Sequence, residues 1–262
     1  MLRFFSKLAA MIVFTGAAMA QTAPQTVGVV VMHGKGGSPT KFVAELASGL
    51  ESKGHLVANI EMPWSGNRNY DVNTSAAEAE IDAALTRLRA KGASHLFVAG
   101  HSQGGAFALY YGSKHAVDGI IAIAPGASSA SPVFLEKLGG SVEEARKLVA
   151  AGKGAETARL QDFESSKGTY VVVSKPDNYL TWFDPDGAMN QMKSIRAIRP
   201  ETPVLYIVPK NDYPGLLKFK QAGYDALPRN PMTRLYEPDA THTGAPSASR
   251  DEISRWMMEV AR

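Results

Sequence analysis

The sequence predicts an α/β fold with a mostly parallel sheet of about six strands and helices on both of its faces. The strand candidates are short, mostly apolar runs, and the first of them, 27–32, is continuously apolar, without the polar alternation of a strand that has one face in water. Most of them are separated by segments with helical periodicity, which is typical of right-handed βαβ units. The runs are 27–32, 56–60, 95–99, 119–124, 204–208 and the shorter 233–236.

Composition limits the classes of function that the chain can have. Its 262 residues are 45% apolar, enough for one large α/β domain. The absence of cysteine excludes disulfides, thiolate catalysis and cysteine-ligated metals. Without Arg3 and Lys7, which lie in the leader described next, 28 less two, or 26, basic residues face 25 acidic ones. This balance gives no overall attraction for nucleic acid, and we expect none as a partner.

Residues 1–20 have the pattern of a secretory signal peptide. A short basic start, 1–7, precedes an apolar run, 8–18, which is too short to span a membrane. An Ala-Met-Ala cleavage pattern ends at Ala20, so Gln21 is the predicted new N-terminus. We therefore expect a periplasmic or secreted protein that has no membrane contact after cleavage.

Helices are predicted between and after the strands. The first two have apolar faces at helical spacing, made by Phe42, Leu46 and Leu50 in one and by Ala77, Ile81, Leu85 and Leu88 in the other. A third helix follows the strand 95–99 and runs to about Lys114. Two more are predicted near 216–222 and at 253–261, where the chain closes.

The strand–helix alternation breaks between about 127 and 199. This stretch has a helical pattern at 142–151, an isolated strand-like run at 170–173 and an aromatic, acidic segment at 179–186. It is too long for a loop without structure of its own. We interpret 127–199 as a cap inserted over the active face, and 21–126 with 200–262 as the core domain.

The segment Gly100-His101-Ser102-Gln103-Gly104 is the motif that predicts the chemistry. It follows an apolar strand and opens a helix of small residues, which is the context expected for the G-x-S-x-G pattern. The glycines permit a sharp turn, and the turn exposes the Ser102 hydroxyl at the carboxyl end of the sheet. We predict that Ser102 is a nucleophile; the alternative is an ordinary strand-to-helix turn.

A serine nucleophile needs a base and a carboxylate that orients the base. With this turn, the expected chain order is serine, acid, histidine. Asp212 follows the buried run 204–208, and His242 lies in the loop before the closing helix. We predict Asp212 as the orienting acid and His242 as the base. Competing acids are Asp184, Asp186 and Asp239.

The tetrahedral intermediate of acyl transfer needs fixed N–H donors. The residue after the nucleophile, Gln103, supplies one backbone N–H, and the loop 33–37 after the first strand supplies another. We assign this second donor to Lys35, with Gly36 as the alternative. The loop lacks the G-x-x-x-x-G-K-S/T order of a phosphate loop. It also does not fit the dinucleotide-binding pattern G-x-G-x-x-G, since Pro39 stands in place of the third glycine.

Four side chains are candidates for substrate binding. Trp64 and Arg68 follow the second strand, and Tyr179 and Trp182 lie in the cap. Arg68 would suit a substrate carboxylate, and the aromatic rings would suit an acyl or alcohol group. The alternatives are a solvated loop for the first pair and a small aromatic core of the cap for the second.

The Ser102 motif, the His33-Gly34 loop, Asp212 and His242 give residues 22–262 a resemblance to the α/β-hydrolase superfamily, in particular to its small bacterial exported or cytosolic members. The resemblance implies hydrolysis of a carboxylic ester through an acyl-enzyme, with no metal or organic cofactor. The chain departs from the superfamily pattern in two ways. The strands that usually precede the oxyanion-loop strand are missing, and the cap matches none that indicates a substrate.

Two other functions stay open at this point. The same machinery serves amidases and thioesterases, and the same fold serves non-catalytic binding proteins. Asp184 and Asp186 resemble part of a calcium loop whose other ligands are missing, so no metal site is predicted. We expect a small-molecule, ester-type substrate and a monomer or small homo-oligomer.

Overall fold

The computed structural model describes residues 26–126 and 128–262, so the predicted signal peptide lies outside the described residues. The main sheet has the strands β1 (Val27–Met32), β2 (Leu56–Ile60), β3 (His95–His101), β4 (Gly119–Ile123), β7 (Val204–Ile207) and β8 (Arg234–Tyr236). Their order across the sheet is β2-β1-β3-β4-β7-β8, and each neighbouring pair is parallel. The predicted six-stranded α/β architecture is confirmed.

Helices cover both faces of this sheet. In chain order they are α1 (Ala44–Ser52), α2 (Thr74–Ala90), α3 (Gln103–Lys114), α4 (Pro132–Ala150), α5 (Pro176–Phe183), α6 (Gln191–Ala197), α7 (Pro214–Asp225), α8 (Ala245–Ala248) and α9 (Arg250–Val260). None of the helices within 26–126 and 128–262 has the length and apolar character needed to cross a bilayer.

The strand β1, which lies between β2 and β3, shows why its sequence is a continuous apolar run. All six of its residues are buried, and successive side chains point to opposite faces. Val30 and Met32 belong to the apolar cluster that includes side chains of α2 and α3, whereas Val29 and Val31 belong to the cluster of α1 and α9. Both faces are therefore covered, as expected for a parallel sheet.

Between β4 and β7 lies a segment that we call the cap segment, residues 128–199. Its helix α4 begins at Pro132, ten residues before the predicted pattern, and Ser131 caps it by accepting a hydrogen bond from the Phe134 N–H. The predicted strand-like run belongs to β6 (Gly168–Ser174), which pairs antiparallel with β5 (Ala158–Glu164). The aromatic segment is mostly helix α5, which the sequence did not predict.

The cap segment packs on the sheet through shared apolar residues. Leu160, Val172, Trp182 and Ile195 belong to the same buried cluster as the inner faces of α2 and α3. The cap segment and the core are therefore joined by a continuous apolar interior. This packing places the β5–β6 hairpin next to the loops that follow β1 and β2.

Candidate active site

The turn between β3 and α3 holds Ser102 in a conformation that few residues adopt. Its backbone dihedrals are φ 55° and ψ −117°. A Cβ on Gly100 would lie 2.0 Å from the Gly104 carbonyl oxygen, and one on Gly104 would lie 2.5 Å from that of Met32. Only glycine fits at these two positions, because real Cβ atoms do not approach backbone oxygens so closely. The turn therefore has the strained geometry expected of a nucleophile elbow.

Backbone hydrogen bonds fix this turn to the neighbouring strand. The Ser102 N–H donates to the Ile123 carbonyl at 2.9 Å, and the Gly126 N–H donates to the Ser102 carbonyl at 3.1 Å. Ser102 lies at the N-terminal end of α3, where free N–H groups and the helix dipole favour negative charge. The hydroxyl is thus presented at the carboxyl edge of the sheet on a rigid support.

Asp212 and His242 are brought together by the extension of β7 and β8. Beyond the strands, the Lys210 N–H donates to the Pro238 carbonyl at 3.0 Å and the Asn211 N–H donates to the Ala240 carbonyl at 3.1 Å. His242 Nδ1 then donates to Asp212 Oδ1 at 2.7 Å. The Asp212 side chain is fully buried. This bond fixes the histidine tautomer and leaves Nε2 to accept a proton.

Ser102 and His242 line the same cavity. In the described residues the Ser102 hydroxyl makes no hydrogen bond with the His242 ring, whereas the bond to Asp212 is formed. Hydrogen bonds between a nucleophile and its base are often long without substrate and tighten in the complex. Of the two hydrogen bonds in a serine–histidine–aspartate triad, the one between histidine and aspartate is therefore formed. Ser102 lies in the same cavity as His242.

His101 supports the loop that contains His242. Its Nε2 donates to the His242 carbonyl at 2.9 Å, and the two rings lie 4.9 Å apart between centroids. Burial, and next the charge of His242, lowers the pKa of His101 to about 3. A neutral His101 therefore holds the loop backbone and does not compete with His242 for protons.

In the loop after β1, the two predicted candidates for an oxyanion donor differ in whether their backbone N–H is already hydrogen-bonded. The Gly36 N–H donates to the Trp64 carbonyl at 2.9 Å, and the Gly37 N–H donates to the Gly34 carbonyl at 3.1 Å. Among the described residues, the backbone N–H of Lys35 has no acceptor, and neither has that of Gln103. Of the two candidates in this loop, Lys35 is therefore the one whose N–H is available to an oxyanion.

The His33 ring holds the backbone of this loop through two hydrogen bonds. Its Nδ1 donates to the Gly34 carbonyl at 2.8 Å, and its Nε2 accepts the Met62 N–H at 3.0 Å. Burial lowers the pKa of His33, which keeps the ring neutral and both bonds intact at ordinary pH. The loop backbone is thus fixed by a histidine that does not face the cavity.

The cavity over Ser102 has a volume of about 780 Å³. Its floor is the elbow and the loop after β1, and its walls come from the cap segment and α7. Apolar side chains dominate the walls, among them Val133, Phe134, Phe163, Leu216 and Phe219. Phe42 and Tyr213 add partly exposed rings. The volume and the apolar lining are typical of a pocket for a small organic molecule.

The four side chains predicted to bind substrate do not line this cavity. Trp64 is 2% exposed and donates to the His33 carbonyl at 2.8 Å. Trp182 and Tyr179 are fully buried, and they donate to the backbone carbonyls of Val72 and Gln161. They form the aromatic core under the cap segment, so their prediction as substrate-binding residues needs correction.

Arg68 is also directed away from the cavity. Its guanidinium makes a two-point contact with Glu80 at 2.7 Å and a further contact with Asp71 at 3.1 Å. Both carboxylates raise the pKa of Arg68, Glu80 more than Asp71, and they satisfy its charge. The residue stabilises the loop after β2 and leaves no free cation for a substrate carboxylate.

A buried carboxylate that was not among the residues predicted from the sequence faces the loop after β1. Asp162 lies on β5 with its side chain fully buried, 2.5 Å from Lys35 Nζ. The sequence does contain a signal, because Leu160 and Asp162 alternate with the exposed Arg159 and Gln161. An acid on the inward face of an alternating strand requires a partner.

Comparison with known proteins identifies the family. The sequence profile of the Alpha/beta hydrolase family matches residues 29–258. This match covers most of the chain, so the protein belongs to the α/β-hydrolase family. A comparison with curated protein sequences found no match.

Solved structures of α/β hydrolases resemble this fold. GrgF from Penicillium sp. sh18 is 14% identical, with 91% of this chain and 90% of that chain covered and a TM-score of 0.65. A monoacylglycerol lipase from Paleococcus ferrophilus is 19% identical, with coverages of 89% and 94% and a TM-score of 0.61. Est1E from Butyrivibrio proteoclasticus, solved with ferulic acid, is 16% identical over 91% of each chain, with a TM-score of 0.57. At these identities the likeness supports the fold.

Proposed function

We propose that the protein is a serine hydrolase that cleaves a carboxylic ester or a related acyl bond. The observation that carries this proposal is the 2.7 Å hydrogen bond from His242 to Asp212, in a cavity that also contains the strained Ser102. Such a constellation is what acyl transfer by a serine requires. Lipases and esterases among the structural neighbours agree with it.

In the proposed mechanism Ser102 attacks the carbonyl carbon of the ester. His242 takes the hydroxyl proton and gives it to the leaving alcohol, while Asp212 holds the ring and stabilises its positive charge. The backbone N–H groups of Lys35 and Gln103 hold the oxyanion. Water, deprotonated by His242, then hydrolyses the acyl-enzyme and regenerates Ser102.

The cavity supports a substrate with a sizeable apolar group. Its walls offer the rings of Phe134, Phe163 and Phe219, and burial of such a group provides most of the binding free energy. The signal peptide predicted at residues 1–20 supports export, so we propose that the enzyme acts in the periplasm or outside the cell.

Labelling with a fluorophosphonate tests this function. A single adduct on Ser102, found by intact mass and peptide mapping, is expected in the wild type and lost in Ser102→Ala and His242→Ala. Ser166→Ala is the matched control, because Ser166 lines the same cavity without lying on the elbow. Absence of an adduct in the wild type would contradict the proposal and favour a non-catalytic binding protein.

The same samples test export and substrate class. When the full chain is expressed in a bacterial host, an intact mass that begins at Gln21 is expected. Esters of graded acyl and alcohol size are then compared by kcat/KM, and apolar esters are expected to be preferred. A preference for amides or thioesters would keep the serine mechanism and change the assigned bond.

A further inference from the structure

Asp162 is the centre of a buried polar cluster that the proposed mechanism does not use. Its carboxylate is fully buried and accepts four hydrogen bonds. The donors are Lys35 Nζ at 2.5 Å and the Phe163 N–H at 2.6 Å on Oδ1, and the hydroxyls of Tyr70 at 2.7 Å and Tyr170 at 2.9 Å on Oδ2. We call Asp162, Lys35, Tyr70, Tyr170 and Gln103 the Asp162 cluster.

The charges in this cluster balance only while the cap segment stays in place. Lys35 Nζ also donates to the Phe163 carbonyl at 3.0 Å and lies 5.2 Å from the centroid of the Phe134 ring. The Lys35 side chain is 7% exposed, so both members of the ion pair have lost most of their water. Removing one partner would leave a buried charge without compensation, which is strongly unfavourable.

The two phenols of the cluster remain donors throughout the physiological range. Burial, and then the charge of Asp162, raises the pKa of Tyr70 and of Tyr170 far above the usual value. Tyr70 also lies 3.3 Å from the side-chain amide of Gln103. A path of hydrogen bonds therefore runs from Asp162 through Tyr70 to the residue after the nucleophile.

The cluster joins the two residues whose N–H groups we assign to the oxyanion hole. Lys35 is bound by Asp162 directly, and Gln103 is bound through Tyr70. In each case the side chain is held by the cluster, while the backbone N–H of the same residue has no acceptor among the described residues. One carboxylate of the cap segment thus restrains both proposed donors.

We propose that Asp162 is a positioning residue that aligns the oxyanion hole, so that the cap segment sets the geometry of catalysis as well as covering the cavity. This proposal rests on the proposed serine hydrolase function. Its physical basis is that donors stabilise the transition state only when they are held close to the position of the developing oxyanion. A displacement of about 1 Å can cost about a hundredfold in rate.

A purely structural role for Asp162 would have different consequences. It would change the free energy of unfolding and the yield of folded protein, but not the rate per folded active site. A positioning role changes kcat, since oxyanion contacts are made in the transition state, and leaves KM nearly unchanged. The ratio of these two parameters therefore separates the roles.

The test uses Asp162→Asn, which keeps the size of the side chain and removes its charge. With an ester that the wild type hydrolyses, we expect kcat to fall about tenfold to a hundredfold and KM to stay within about twofold. The matched control is Asp184→Asn, which breaks another ion pair of the cap segment, 2.8 Å from Arg146, away from the oxyanion loop. The control should retain the wild-type kcat.

A boronic acid provides a second readout that a structural role would not move. It binds a serine nucleophile as a tetrahedral anion and so depends on the oxyanion hole. We expect its Ki to rise in Asp162→Asn by the same factor by which kcat/KM falls. A kcat and a boronate Ki within twofold of wild type would overturn the proposal.

If Asp162→Asn does not fold, Tyr70→Phe decides the question. It removes the hydroxyl that joins Asp162 to Gln103 and keeps the ring. A lower kcat with an unchanged KM supports the proposal, and wild-type values overturn it. A wild type that neither hydrolyses esters nor reacts with a fluorophosphonate would overturn the proposed function itself, and that outcome is visible before any variant is made.

Discussion

The loops at the edge of the parallel sheet form the floor of the cavity and the cap segment forms part of its walls, but the two regions fix their side chains in different ways. In the sheet, Ser102, Asp212 and His242 follow strand ends, and backbone hydrogen bonds between adjacent loops set their positions. In the cap segment, the β5–β6 hairpin and helix α5 are tied to the core by side chains, in particular the buried Asp162 and Trp182. In the proposed function, the sheet therefore supplies the reacting residues, and the cap segment positions the oxyanion donors.

This contrast suggests that the two regions differ in their sensitivity to substitution. A change at a strand end should remove activity without altering the fold, because the backbone keeps its own hydrogen bonds. A change in the cap segment should alter both, because its side chains connect the hairpin to the core. Changes to residues outside the cap segment test this expectation, and they are given from the largest expected effect to the smallest.

Asp212→Asn should give the largest effect. An amide at this position favours the wrong tautomer of His242 and no longer stabilises its positive charge, so kcat should fall by about 10⁴-fold. Steady-state hydrolysis of an ester measures the loss, and circular dichroism checks the fold. Asp239→Asn is the control, because Asp239 is a nearby exposed acid that bonds to Asn211 and not to His242. An Asp212→Asn enzyme within tenfold of wild type would show that another group orients the base.

The sheet was accessible to prediction from the sequence because its signals are local. Continuous apolar runs mark strands buried on both faces, and the elbow glycines stand next to the serine that they expose. Asp212 and His242 follow from the rule that side chains after parallel strands meet at one edge. For this reason the strands of the sheet and the order of strands and helices along the chain could be predicted from the sequence alone. The same holds for Ser102, Asp212 and His242 as candidate catalytic residues.

The cap segment was less accessible because its signals are long-range. β5 pairs with β6 across a short turn, but its inward face contains Asp162, whose partner Lys35 lies 127 residues away in the chain. The aromatic residues Tyr179 and Trp182 fit a pocket and a core equally well by composition, and only packing distinguishes them. Sequence patterns do not contain that packing information.

Acid should destabilise the protein through buried histidines that lie outside the cap segment. All six histidines lie outside the cap segment, and the pKa of His101 is lowered from 6.5 to about 3. Below pH 6.5 the His101 side chain binds a proton in the unfolded chain, whereas in the folded chain it stays neutral until the pH approaches 3. The free energy of unfolding is therefore unaffected above pH 6.5 and falls as the pH drops toward 3. His101 alone should remove about 2 kcal/mol between pH 7 and pH 5.

Urea unfolding at these two pH values measures this effect. His101→Gln retains a donor for the His242 carbonyl and does not titrate, so its stability should fall less between the two values. His33, whose pKa burial also lowers, contributes in the same direction and remains in both proteins. Equal losses in wild type and variant would show that His101 is protonated in the folded state.

Arg68→Ala should give the smallest effect and separates the loop after β2 from the cavity. The variant loses a partly exposed ion-pair network with Glu80 and Asp71, so the free energy of unfolding should fall by about 1 kcal/mol or less. Its KM for esters should stay within about twofold, since the side chain does not line the cavity. Phe219→Ala, on the cavity wall, is the positive control and should raise KM for an ester with a large apolar group. A rise in KM for Arg68→Ala confined to esters that contain a carboxylate would restore Arg68 as a substrate-binding residue and extend the site beyond the walls made by the cap segment and α7.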